Sequence, residues 1–96
     1  MMIKIEAYVR EDKFEDVKKA LDERGYKEIV RGMEVDMQMQ PKIKFEIVVS
    51  SEEWERKTIE AIQKAAFTGE TGDGKIFSYE IRSALKIRTG ETGYDA

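Results

Sequence analysis

The sequence contains neither cysteine nor histidine. Without cysteine the chain cannot form a disulfide bond or a thiolate metal site. Without histidine it has no imidazole to ligate a metal or shuttle protons, which excludes most hydrolase triads. It also has no apolar run of roughly 18 residues, the length that a membrane-spanning helix needs, and no basic N-terminal region followed by an apolar stretch. We therefore expect a cytoplasmic protein that does not insert into a membrane.

An excess of one charge sign is missing as well. The 96 residues include 20 acidic and 17 basic side chains, for a net charge of −3. A general nucleic-acid binder needs a basic face, so nucleic acid is not an expected partner. Hydrophobic residues make up 41% of the chain, which suits one folded domain. Small domains without disulfides or metals often gain stability by oligomerising.

The N-terminal quarter of the chain has the pattern of a strand followed by a helix. Apolar and polar side chains alternate over residues 2–10, which predicts a strand with one buried face. Residues 11–25 have helical spacing instead. Asp12 and Glu15 are placed as in a capping box, and Gly25 is a stop signal.

The rest of the chain predicts three further strands, a second helix and a short basic strand. We expect a short strand, a tight turn near residues 30–34, and then a long strand that continues the alternation from Met33 to Val49 and that Pro41 bends or places at a sheet edge. The second helix covers residues 50–69, with Trp54 on its buried face. The remaining predicted strands are residues 75–81 and 84–91.

The order β-α-β-β-α-β is that of the ferredoxin-like α+β fold, in which two helices cover one face of an antiparallel sheet. We expect residues 1–96 to form a single domain of this kind. The opposite sheet face also carries apolar or aromatic side chains, among them Tyr8 and Val48. A large exposed apolar face marks an interaction surface, so this pattern favours an oligomer.

A glycine-rich stretch, TGETGDGKIF at residues 68–77, joins the second helix to the next strand. It lacks the spacing of a Walker loop, and it follows a helix rather than preceding one, so the helix dipole does not favour an anion there. Two interpretations stay open. The stretch is either a helix cap followed by a turn, or a nest of amides around Gly72, Asp73 and Gly74 that binds an anion. In the second case Lys75 supplies a positive charge to the same anion.

A second basic element favours the anion interpretation. Lys86 and Arg88 are two residues apart and would lie on the same side of the predicted strand at 84–91. If that strand reaches the glycine-rich loop of a neighbouring subunit, both cations converge on bound phosphates.

TGETGDGKIF, together with ALKIRTGE at residues 84–91, closely resembles the B-loop and C-loop of the PII nitrogen-regulatory proteins. KIEAYVREDKFEDVKKAL near the N-terminus and PKIKFEIVV in the centre match that family too, so the resemblance covers nearly the whole chain. It implies a homotrimer of ferredoxin-like subunits that binds ATP or ADP in the clefts between subunits. It also implies signal transduction without enzymatic activity.

The resemblance assigns residues to this site. The B-loop, residues 68–75, would hold the phosphates, and the C-loop and tail, residues 85–96, would reach them from the adjacent subunit. Val48 would line the adenine pocket. The nucleotide-binding residues implied in this way are Val48, Gly72, Asp73, Gly74, Lys75, Lys86, Ile87 and Arg88. The resemblance leaves bound magnesium open, and it does not name an effector protein for this chain.

The chain departs from the family at the T-loop, the long loop that joins the second and third strands and carries the output to partner proteins. Here KEIVRGMEVD, residues 27–36, crosses that point in a few residues. The glutamine that helps hold magnesium and 2-oxoglutarate is lost, and Lys42, which resembles the 2-oxoglutarate-contacting lysine, stands without its partners. We therefore expect neither 2-oxoglutarate sensing nor docking through a normal T-loop. Lys86 stands where arginine is usual, which loses a bidentate contact to phosphate.

Other functions are less well supported by the residues. The main alternative is a loop-shortened trimer, degenerate or engineered, that serves as a structural or interaction scaffold with a vestigial nucleotide site. An acylphosphatase would need a glycine-rich loop after the first strand, where REDKF at residues 10–14 has no glycine. An RNA-binding sheet would need an aromatic strand motif, which is absent. Alternating Met33, Met37 and Met39 are more typical of packing than of a soft-metal site.

Overall fold

The computed structural model of the chain describes residues 1–23, 30–35 and 41–93. The elements within these residues follow the predicted order and confirm the ferredoxin-like α+β fold. The strands are β1 (Ile3–Arg10), β2 (Val30–Val35), β3 (Pro41–Val49) and β4 (Gly74–Glu80), and the helices are α1 (Phe14–Asp22) and α2 (Glu52–Ala66). A 3-10 turn, Glu11–Lys13, leads from β1 into α1.

The four strands form one sheet in the order β2-β3-β1-β4, and each neighbouring pair is antiparallel. The central strand β1 places Ile5 between Ile47 of β3 and Ser78 of β4. Its C-terminal end therefore lies beside the start of β4, where Val9 is opposite Gly74. This register brings the end of the glycine-rich stretch against the sheet.

The core lies between the two helices and one face of the sheet. Every second side chain of β1 is buried, as the alternation predicted. Phe45 of β3 is fully buried and stacks on Phe14, with ring centroids 5.6 Å apart. The largest fully buried side chains are Phe45, Ile5, Leu21, Ile47, Ile62, Val9, Val17 and Thr58. Since each large apolar side chain contributes about 1.5–3 kcal/mol on burial, this cluster is the main source of stability.

The predicted turn near residues 30–34 is wrong. Residues 30–35 form β2, which pairs with β3 from Val30 opposite Glu46 to Val35 opposite Pro41. Gly32, which suggested the turn, lies opposite Lys44 within this ladder. Hydrogen bonds to β3 satisfy the backbone N–H and C=O groups of residues 30–35. Their contribution outweighs the weak preference of glycine for strands. The predicted long strand through Pro41 is wrong as well, because Met33 belongs to β2 and is opposite Ile43 of β3, and Val35 is opposite Pro41. Residues 36–40 lie outside the described residues.

Two details of the helices also differ from the prediction. Lys13, not Asp12, is the N-cap of α1, and no side chain caps it, so the predicted capping box does not form. The predicted stop at Gly25 lies outside the described residues. Trp54 is 42% exposed, not buried, and the Lys57 ammonium lies 5.2 Å from its ring centroid.

The position of Trp54 along α2 explains its exposure. The buried stripe of the helix consists of Thr58, Ile62 and Ala66, which are four residues apart along one face, together with Ala61. Trp54 lies one turn before that stripe, next to the N-cap Ser51, whose hydroxyl accepts a hydrogen bond from the Trp54 N–H at 3.2 Å. No helix within the described residues is long and apolar enough to cross a membrane.

The sheet face opposite the helices, here named the open face, combines aromatic and charged side chains. Phe77 and Tyr79 of β4 are about half exposed, and Val48 of β3 is 41% exposed. Tyr8 meets Phe77 edge-on, with ring centroids 6.0 Å apart. The side chains of β1, β3 and β4 that the strand registers place on this face are Lys4, Glu6, Tyr8, Arg10, Lys42, Lys44, Glu46, Val48, Lys75, Phe77 and Tyr79.

Ion pairs order the charged part of the open face. Lys44 lies 2.9 Å from Glu46 and 5.7 Å from the ring centroid of Tyr8. Its hydrogen bond lowers the pKa of Glu46 and raises its own. The Tyr79 hydroxyl donates to Glu6 at 2.7 Å, which raises the pKa of the phenol. The open face is therefore a structured surface on which the exposed aromatic rings are fixed in position.

Candidate functional site

The glycine-rich stretch forms a loop of residues 67–73 that brings the chain from the end of α2 to the start of β4. Gly72 and Gly74 have φ values of 98° and 107°, in the left-handed region that side chains rarely occupy. Gly74 already belongs to β4, where it pairs with Val9. Lys75, the next residue, is opposite Tyr8 and is exposed.

The carboxylate of Asp73 organises this loop. It accepts hydrogen bonds from the N–H groups of Thr68 and Gly69, at 2.8 and 2.9 Å. The Thr68 hydroxyl donates to it as well, and so does Arg10 Nε, at 3.1 Å. These donors, the Thr68 hydroxyl first, hold the pKa of the Asp73 carboxyl well below its usual range. The Asp73 carboxylate therefore accepts hydrogen bonds from both ends of the interaction, the loop residues and Arg10, and fixes the conformation of the loop.

Two cations of the sheet hold the loop backbone. Arg10, at the end of β1, donates from Nη2 to the Thr71 carbonyl at 2.6 Å. Lys42, the second residue of β3, is 7% exposed and donates from Nζ to the Gly72 carbonyl at 2.5 Å. The role of Arg10 was missed in the sequence because its loop partners are more than 60 residues away. The only available signal was its place on the polar side of β1.

Val48 lies away from the loop within one chain. It pairs with Lys4, whereas Lys75 pairs with Tyr8. Lys4 and Tyr8 are four residues apart on β1, a distance of about 13 Å along the strand. Val48 and Lys75 are on strands at opposite sides of β1. One chain therefore does not bring Val48 and the glycine-rich loop into a common pocket.

The predicted strand over residues 84–91 is wrong. Leu85 forms an isolated bridge with Thr92, and the Lys86 N–H donates to the Glu91 carbonyl at 2.8 Å. The Gly90 N–H donates back to the Lys86 carbonyl at 2.7 Å, which closes a turn. We name residues 84–93 the C-terminal hairpin. The argument that Lys86 and Arg88 share one side of a strand fails, because Arg88 lies in this turn.

Ile87 is the most exposed large apolar residue of the described part of the chain, at 94%. It lies in the turn of the C-terminal hairpin, between the two predicted phosphate-binding cations Lys86 and Arg88. Contact between the hairpin and another molecule would explain why this apolar side chain is exposed in a single chain.

A cleft of about 320 Å³ lies beside the loop, between α2 and the start of β4. Its walls include Ile59, Gln63 and Phe67 of the helix side and Lys75 and Ile76 of the strand side. Of the eight predicted site residues, Asp73, Gly74 and Lys75 line this cleft, and Gly72 precedes them in the loop. Val48, Lys86, Ile87 and Arg88 are not in this cleft.

Within the described residues, no group of three or more acidic side chains is placed to hold a metal ion. The Asp73 carboxylate of the loop instead accepts a hydrogen bond from the Thr68 hydroxyl and forms an ion pair with Arg10 of β1. The fold and the loop together define a small ferredoxin-like protein with a hydrogen-bonded glycine-rich loop at one end of its central strand.

Comparisons with known proteins agree with this class and narrow it. The family model described as "Nitrogen regulatory protein P-II" matches residues 2–91. Nitrogen regulatory protein P-II 1 of Methanothermobacter thermautotrophicus is 43% identical over 112 aligned positions, which cover 99% of this chain and 96% of that protein. Nitrogen regulatory protein P-II of Rhodospirillum rubrum is 44% identical over 112 positions, which cover 99% of each.

A solved structure gives the same result. The crystal structure of Arabidopsis thaliana PII bound to citrate matches this structure with a TM-score of 0.87 at 34% identity, covering 99% of this chain and 88% of that one. The chain belongs to the P-II family of nitrogen regulatory proteins. Its members are signal-transduction proteins and not enzymes, which confirms the predicted family and the prediction of a non-enzymatic role.

Proposed function

We propose that this protein is a homotrimeric regulator that binds ATP or ADP in the clefts between its subunits. The phosphates lie against the loop of one subunit, at Gly72, Gly74 and Lys75, and Asp73 keeps that loop in shape. The C-terminal hairpin of the next subunit supplies Lys86, Ile87 and Arg88, and Val48 of that subunit lines the adenine pocket. The observation that carries this proposal is the loop itself, whose Asp73 carboxylate and whose Thr71 and Gly72 carbonyls are each held by hydrogen bonds.

The open face supports the trimer. P-II proteins typically form trimers, and here Phe77, Tyr79 and Val48 expose apolar surface on a face with ordered ion pairs. Burying such surface between subunits is favourable at about 25 cal/mol per Å². In this proposal the loop of one subunit and Val48 of the next subunit line the same cleft. This explains why the two lie far apart within one chain.

We also propose that the T-loop is shortened and that 2-oxoglutarate is not sensed. The alignments with the curated relatives extend over 112 positions, so at least 16 of them are gaps opposite the 96 residues of this chain. Only residues 36–40 separate β2 from β3. Lys42, the lysine implied in keto-acid binding, donates instead to the Gly72 carbonyl. Bound magnesium, the effector protein and a cytoplasmic location stay predictions.

Isothermal titration calorimetry with Mg-ATP and with ADP, each repeated in the presence of 2-oxoglutarate, tests this proposal. The mass of the protein in solution is determined first by light scattering. A trimer that binds one nucleotide per subunit, with no change on adding 2-oxoglutarate, is the expected result. A well-folded trimer that binds neither nucleotide contradicts the regulatory function and leaves the scaffold as the explanation. A monomer contradicts the inter-subunit site.

A further inference from the structure

Two successive carbonyl groups of the loop are held from the sheet side. Arg10 Nη2 binds the Thr71 carbonyl at 2.6 Å, and Lys42 Nζ binds the Gly72 carbonyl at 2.5 Å. The two cations come from adjacent positions of the sheet, because Arg10 of β1 is directly opposite Lys42 of β3. Two neighbouring positively charged side chains of the sheet therefore bind two successive carbonyl groups of the loop.

The direction of these carbonyls fixes the direction of the amides that follow them. In a planar trans peptide the N–H points opposite to the C=O of the same peptide unit, and the described peptides are trans. With the Thr71 carbonyl turned toward Arg10, the Gly72 N–H points away from it. With the Gly72 carbonyl turned toward Lys42, the Asp73 N–H likewise points away from the sheet cations.

Arg10 holds the loop at a second place. Its Nε donates to Asp73, and the same carboxylate accepts from the N–H groups of Thr68 and Gly69. One guanidinium thus links the first residues of the loop, through Asp73, to the carbonyl of Thr71. The fit is close, because a Cβ on Gly72 would lie 3.2 Å from Arg10 Nη2.

We propose that Arg10 is a positioning residue for phosphate binding. Acting through Asp73 and Thr71, it sets the orientation of the Gly72 amide before any ligand arrives, and Lys42 supports the next peptide in the same way. A loop that is already in its binding conformation binds more tightly, because less conformational entropy is lost on binding. The class of ligand, an adenine nucleotide bound through its phosphates, rests on the proposed function; the ordering of the loop does not.

The first test measures the loop without nucleotide, by amide hydrogen exchange. Arg10→Met removes both hydrogen bonds and keeps much of the apolar stem. Arg56→Met is the matched control, since Arg56 lies on the exposed side of α2 and is 3.8 Å from Glu60. We expect faster exchange over residues 68–74 in Arg10→Met only, with the centre of β1 and β3 unchanged. Unchanged exchange in the loop overturns the inference, whether or not the protein binds nucleotide.

The second test measures ADP affinity in a double-mutant cycle of Arg10→Met and Asp73→Asn. Loss of the two Arg10 bonds is expected to weaken ADP binding about tenfold in the wild-type background. In the Asp73→Asn background, Arg10→Met is expected to reduce ADP affinity by a clearly smaller factor, because the two residues act as one unit. Arg10→Lys, which keeps one donor toward Asp73, is expected to restore part of the affinity, and Arg56→Met to bind as the wild type does.

The outcomes separate this inference from the proposed function. Wild-type protein that does not bind ADP contradicts the proposed function, and the exchange experiment then decides the role of Arg10 alone. Wild-type binding that Arg10→Met leaves unchanged overturns the positioning role and leaves the proposed function standing. Fully additive losses in the cycle also overturn it, because Arg10 would then act on the ligand independently of Asp73.

Discussion

A Cβ atom built on Gly74 would lie 1.7 Å from the carbonyl oxygen of Tyr8. This contact joins the end of the glycine-rich loop to the central strand, and it involves backbone atoms that cannot turn aside. Gly74 also has a φ of 107°, so a side chain there is strained before any contact is made. The loop therefore enters the sheet at a point that only glycine can occupy.

Gly74→Ala is expected to destabilise the protein by more than about 2 kcal/mol, because backbone strain and overlap with β1 add together. Gly90→Ala is the matched control. Gly90 has a φ of 76°, but nothing lies within 4 Å of an added Cβ. Urea denaturation gives both free energies of unfolding. Equal losses in the two variants would show that the contact with Tyr8 contributes nothing.

Asp73 makes the stability of the loop depend on pH. Its pKa in the folded state lies below the ordinary value of 3.8, so its stabilising effect is present above that pH. The effect is lost as the pH falls toward the folded-state pKa and the carboxylate becomes protonated. We expect the melting temperature of the wild type to fall more steeply between pH 5 and 2 than that of Asp73→Asn. Parallel melting curves over that range would contradict this.

Phe77 lies on the open face, 49% exposed, and contributes nothing to the core cluster. Phe77→Ser should therefore leave the subunit folded but shift the assembly from trimer toward monomer, as measured by sedimentation velocity. Trp54→Ser is the control, since Trp54 is similarly exposed on α2, away from the sheet face. A Phe77→Ser protein that stays trimeric while Trp54→Ser dissociates would place the interface on the helices instead.

Lys86 provides a gain-of-affinity test. An arginine forms two parallel hydrogen bonds to phosphate where a lysine acts as a point charge. Lys86→Arg is expected to tighten ADP binding by up to about tenfold, which calorimetry measures directly. Lys64→Arg, on the exposed surface of α2, is the control for a general effect of arginine. Unchanged affinity in Lys86→Arg would indicate that residue 86 does not reach the phosphates.

The elements with a strong local pattern were predictable from the sequence. The alternation in β1 gave its buried face correctly, because burial of every second residue is a property of the strand itself. The glycine-rich loop was also placed correctly between α2 and β4. In both cases the deciding interaction is local or periodic.

Features decided by distant partners were not predictable. Gly32 suggested a turn, but pairing with β3 made the segment a strand. The C-terminal hairpin has an alternating sequence, yet its hydrogen bonds close a turn at Gly90. Arg10 is not part of a recognisable sequence motif, because its hydrogen-bond partners Thr71 and Asp73 come close to it only in the folded protein.

The central claim is that each nucleotide is held by two different subunits, and mixing two defective variants tests it most directly. Lys75→Gln damages the loop side of the cleft and Arg88→Gln damages the hairpin side, so each trimer alone should bind ADP poorly. When the two variants are unfolded and refolded together in equal amounts, about one quarter of the clefts in a cyclic trimer regain both intact sides. The account predicts that this fraction of wild-type ADP binding returns in the mixture. If the mixture binds no better than the separate variants, the site does not lie between subunits and the account is wrong.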